Sequence, residues 1–135
     1  MKEMLMKEML EKVFSNVNVE KKVVIEYDVY MKISNEIILI AEFIPQDECV
    51  DREGYDYVSY QSLGFKVINK ITGSKIDENK FILTGEDCGF ELLSNCNGYV
   101  HWGKNAPCAF STPRTEEWVY RYITNTLNEY IELFK

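Results

Sequence analysis

Residues 22 to 33 alternate clearly. Val23, Ile25, Tyr27, Val29, Met31 and Ile33 fall on one face, and Val24, Glu26, Asp28, Tyr30 and Lys32 on the other. A period of two is the mark of a half-buried strand. Ser34-Asn35 is turn chemistry. Glu36 to Ile44 (E-I-I-L-I-A-E-F-I) is apolar on both faces, as a central strand should be, so the two segments are expected to form a hairpin. Pro45 should stop the second strand, because proline has no N–H to give to a ladder. Asp47 to Asp56 then reads as a loop. Tyr55 to Ile68 is the third strand, with Tyr57, Ser59, Gln61, Leu63, Phe65 and Val67 on one face and Gly64 marking a bulge or close approach. Thr72-Gly73-Ser74 and Asp77-Glu78-Asn79 read as turns, and Lys80 to Thr84 and Phe90 to Leu93 as short strands separated by Gly85-Glu86-Asp87. Residues 94 to 112 are rich in Gly, Asn and Pro yet carry Tyr99, Trp102 and Phe110. An ordered loop with a short strand at Tyr99 to Trp102 is expected there.

The period changes at both ends of the chain. Leu5, Met9 and Val13, flanked by Leu10 and Phe14, predict an amphipathic helix over residues 2 to 14. Near the C-terminus, Val119, Ile123, Leu127, Tyr130 and Phe134, with Trp118, Tyr122 and Ile131 beside them, form a broad apolar stripe. Arg121, Asn125, Asn128, Glu129 and Glu132 form the wet side. Thr112 is placed to cap this helix, Pro113 to open it, and Glu116 and Glu117 to favour the positive end of its dipole. Helix, hairpin, strands, helix is the order of an α+β domain. The expectation is an antiparallel sheet of about four to five strands, with an N-terminal helix and a longer C-terminal helix packed on it, over a single domain spanning residues 1–135.

Charge narrows the partners. The chain has 22 acidic and 15 basic residues, for a net charge of -7. That field disfavours nucleic acid and anionic membrane. No apolar run approaches the ~20 residues of a membrane span, and residues 1 to 14 are too charged for a secretory signal. A cytoplasmic protein with reduced cysteines is therefore expected. Few alanines and many Ile, Asn, Lys and Glu suit an AT-rich bacterial or phage genome.

Three constellations could carry chemistry. Cys88, Cys96, His101 and Cys108 include donors that zinc accepts, but their gaps of seven, four and six residues lack the close pairs of structural zinc sites. No metal is assigned and no cofactor is expected. Cys108 with His101 lacks a nucleophile motif around it. The carboxylate sets Asp51, Glu53, Asp56 and Glu86, Asp87, Glu91 match no cation-binding loop. An enzyme is therefore not the leading expectation, and no catalytic residue is assigned.

The densest patch of one charge lies between Pro45 and Tyr60. Asp47, Glu48, Asp51, Glu53 and Asp56 approach Tyr55, Tyr57 and Tyr60, opposed by Arg52 alone. Carboxylates steer a basic partner and tyrosine gives contact area at low entropy cost. Alternation puts Tyr55 and Tyr57 with the core residues and leaves Tyr60 exposed. The leading expectation is a small acidic interaction module, an inhibitor that binds a basic surface of a partner protein through Asp47, Glu48, Asp51, Glu53, Asp56 and Tyr60. An immunity-type or phage anti-defence-type role is the kind expected. The alternative is a small-molecule-binding or enzymatic domain with a pocket formed by Tyr99, His101, Trp102 and Cys108. A structural homo-oligomer is a third reading, and the sequence leaves oligomeric state open.

Overall fold

The computed structural model describes residues 3–50, 53–104 and 112–135, with backbone only for 78–82. It is α+β. The strands are β1 (Met4–Leu5), β2 (Lys21–Ile25), β3 (Asp28–Lys32), β4 (Ile37–Val50), β5 (Asp56–Asn69), β6 (Lys75–Thr84), β7 (Phe90–Asn95) and β8 (Tyr99–Lys104). The helices are α1 (Met6–Val13), the single turn α2 (Gly85–Cys88) and α3 (Glu116–Glu132). One antiparallel sheet runs β1-β8-β7-β5-β4-β3-β2. β5 is long enough to fork it: one edge of β5 pairs with β7 over Tyr57–Tyr60 and with β6 over Ser62–Ile68. The described sheet thus has eight strands, where the sequence pattern suggested four to five.

The extra strands come from reversals that the pattern hides. Residues 22 to 33 are two strands joined by a two-residue turn, with Ile25 opposite Asp28. Such a turn inverts the parity. Val24 pairs with Val29 and Lys22 with Met31, so Val29 and Met31 enter the core, while Val23 and Ile25 on the other face are 40% and 54% exposed. The single apolar face expected across 22–33 is split in two. Glu26 has φ 55, a left-handed conformation that costs a side chain but not glycine. Glu26→Gly is expected to raise stability by about 0.5–1 kcal/mol, read as a higher urea midpoint.

Three other boundaries move. Pro45 does not end β4, which continues to Val50, and Asp47 to Val50 is strand rather than loop. Asp77-Glu78-Asn79 lies inside β6, where the ladder is irregular. Met4–Leu5 pairs with β8 instead of opening the first helix, so Leu5 is exposed and Met6 takes the buried place expected of it.

Both long helices pack on one face of the sheet. Met6, Met9, Leu10 and Val13 of α1 and Val119, Ile123, Leu127 and Ile131 of α3 join Val29, Met31, Leu39, Phe43, Leu63, Phe65, Val67, Leu92 and Trp102 in one core. Side chains satisfy one end of each of these two helices. Thr115, and not Thr112, caps α3: its Oγ1 accepts from the Trp118 N–H at 3.1 Å. Lys22 Nζ donates to the Phe14 and Ser15 carbonyls at the C-terminal end of α1, where a cation also suits the dipole. Asn128, on the expected wet side of α3, instead holds the chain after α1. Its Oδ1 accepts from the Asn18 N–H at 2.7 Å and its Nδ2 donates to the Asn16 carbonyl.

Candidate functional site

The acidic segment is built as a two-stranded arm. Beyond Phe43, β4 pairs with β5 alone among the described residues. The ladder steps irregularly from Ile44–Ser62 to Pro45–Tyr60 to Asp47–Ser59, which leaves Gln61 and then Gln46 unmatched. A bulge of this kind adds one residue to a strand and shifts the alternation beyond it. The consequence falls on the tyrosines. Tyr60 turns to the core side beside Leu63 and is only 5% exposed, against the expectation of an exposed anchor. Tyr57 is buried too, but on the opposite face of β5. Tyr55, expected in the core, is 68% exposed at the turn end of the arm.

The same register sorts the carboxylates. Glu48 pairs with Val58 and Val50 with Asp56, so Glu48, Val50, Asp56 and Val58 share the face of Tyr60. Asp47 and Cys49 share the other face with Ser59 and Tyr57. Glu53 is exposed in the turn, next to Gly54 at φ 87, and Asp51 lies outside the described residues. Over the first face runs an open trough of about 850 Å³. Its floor is Glu48, Val50, Asp56, Val58, Tyr60 and Ser94. Tyr27, from the β2–β3 turn, forms one wall, and Asn95 to Gly98, the β7–β8 turn, the other. No Lys, Arg or His is among the described lining residues.

Tyr60 and Tyr27 meet in the trough with ring centroids 5.9 Å apart. Burial, and then the neighbouring Tyr27, push the Tyr60 phenol up to about 12. The fold therefore favours the neutral phenol. Its contribution to stability is complete below about pH 10, the ordinary phenol value, and is lost as pH rises through about 12. Burial likewise raises Tyr120, Tyr122 and Tyr130. The urea midpoint should fall between about pH 10 and 12, and fall less steeply in Tyr60→Phe; equal slopes would contradict this assignment.

The other face of the arm carries a fixed hydrogen-bond net. Glu3 Oε1 accepts from the Tyr57 hydroxyl at 2.7 Å and lies 3.6 Å from His101 Nδ1. The His101 ring stands edge-on to Tyr57, with centroids 5.3 Å apart. Ser59 and Gln61 both donate to Glu91 Oε2. These contacts tie the arm to β7, β8 and the start of the chain, and hold its shape.

Tyr99, His101 and Trp102, three of the four residues expected to line the alternative pocket, do not share one face. Strand alternation puts Trp102 in the core, 1% exposed, while His101 points to the opposite face and Tyr99 is exposed on that side. Cys108 lies outside the described residues. Cys88 is buried at the end of α2 with its Sγ against the Thr84 and Phe90 carbonyls, whereas Cys96 is exposed in the β7–β8 turn.

Sequence reasoning missed Tyr27, Glu3 and the Asn95 to Gly98 wall. Asn97-Gly98 is a turn signal between two apolar runs and could have revealed the last of these. For Tyr27 and Glu3 no local signal exists. Among the described residues no helix is long and apolar enough to cross a membrane. Comparison with family models, curated proteins and solved structures gives no match to this chain.

Proposed function

We propose that the protein binds a basic partner protein through the acidic β4–β5 arm, as an inhibitor of the immunity or anti-defence type would. The observation that carries this reading is the arm itself. Asp47, Glu48, Glu53 and Asp56 are all exposed on a braced two-stranded element that also exposes Val50 and Tyr55. Carboxylates around an apolar and aromatic contact give both steering and a desolvated centre. A bare solvated loop would supply the charge without the fixed geometry. The partner is a basic protein surface, and Asp51, next to Val50 in sequence, is a fifth carboxylate of the proposed contact.

Affinity purification from the source cell identifies the partner, and charge reversal at Asp51, Glu53 and Asp56 tests the contact. The triple variant is expected to bind the purified partner at least about tenfold more weakly while keeping its fold. Unchanged affinity would overturn the reading.

A further inference from the structure

We propose that the trough beside the arm is an arginine-reading site, which seats a guanidinium of the partner between Glu48 and Asp56 and against Tyr27. This rests on the reading of the arm as a basic-partner surface and names the part of that surface that gives specificity. The register makes Glu48 and Asp56 diagonal neighbours on one face, a relation that separates residues by about 7–8 Å. Two carboxylates so spaced can both accept hydrogen bonds from a planar, five-donor guanidinium lying between them, which a compact ammonium cannot match. Tyr27 is 42% exposed and lines the same trough, so the site includes an aromatic ring on which that plane can stack. Val50 and Val58 line the trough beside the two carboxylates, and a seated guanidinium covers these apolar side chains and is itself partly shielded from water.

The occupant is a side chain of an extended segment. The trough is open along its length and suits a chain laid across it better than an enclosed small molecule. Beyond Phe43, one edge of β4 pairs with no described strand, so backbone groups beside the trough can align an incoming extended chain. Charge complementarity selects a basic occupant, because the described lining offers two carboxylates and no cation.

The test uses the full chain and a short acetylated peptide that alternates threonine with arginine, followed by calorimetry. The same peptide with lysine or with citrulline, and free spermidine, are the comparisons. Binding of the arginine peptide that is stronger than lysine, absent for citrulline, and weakened about tenfold in E48Q/D56N but unchanged in E36Q, an exposed carboxylate outside the arm, supports the site. Tyr27→Leu should weaken the arginine peptide more than the lysine one, which a merely structural loss would not do. No binding to the wild-type chain, equal loss in E36Q, or spermidine binding as tightly as the peptide would overturn it. The broader reading is separable. If reversal at Asp51, Glu53 and Asp56 abolishes binding of the purified partner while E48Q/D56N keeps it, the arm stands and the arginine site falls.

Discussion

A chain ending at Ser111, without α3, should show no cooperative unfolding transition. The helix places Val119, Ile123, Leu127 and Ile131 at 0% exposure against the sheet. Fully burying such a side chain contributes about 1.5–3 kcal/mol, so these four together supply on the order of 6–12 kcal/mol, as much as a whole domain's net stability. Loss of the helix also removes Asn128, which fixes residues 16 to 18, and Tyr130, whose hydroxyl donates to Asp77 and whose ring packs on Phe65. Circular dichroism with urea titration checks this. A sigmoidal transition in the truncated chain would mean that α1 and the sheet form a core by themselves.

Trp102→Ala should cost about 3–5 kcal/mol, among the largest losses that a single substitution can cause here. Trp102 lies between Phe43 and Tyr120, edge-on to both, with centroids 5.9 and 6.2 Å away. Its removal opens a cavity where β4, β8 and α3 meet. The adjacent His101→Ala should cost much less, because His101 sits half-buried on the other face with one close carboxylate. The contrast decides between a core strand and a ligand pocket for β8. Similar, small losses for both would favour a pocket in which each lines open space.

Much of the fold is legible in the residues, and the failures have specific causes. The α3 stripe is plain because a helix on a sheet buries one continuous face. The β2–β3 turn is invisible because Glu26 and Tyr27 are poor turn formers and the sequence keeps alternating through the reversal. The rule that proline ends a strand fails at Pro45 because it sits at a bulge on a segment that pairs on one side only among the described residues, a place where strands accept proline. The acidic charge of the arm could be read directly. Which carboxylates share a face could not, because the unmatched Gln61 and Gln46 shift the register. That shift moved Tyr60 from expected anchor to core, and tertiary packing brought in Tyr27, a residue more than thirty positions away.

The central claim is that the arm holds a basic partner by charge. The direct measurement is the association rate of the purified partner across a range of salt concentrations. It is made for the wild-type chain and for the variant reversed at Asp47, Glu48, Asp51, Glu53 and Asp56. Steered encounter between opposite charges is screened over about 10 Å at 0.1 M salt. The wild-type rate should fall steeply as salt rises, and the reversed arm should associate at least about tenfold more slowly at low salt with a flat or inverted dependence. Its unfolding midpoint should stay close to that of the wild type, since exposed substitutions shift stability by about 0.5 kcal/mol or less. Equal rates and equal salt slopes for the two chains would contradict the account.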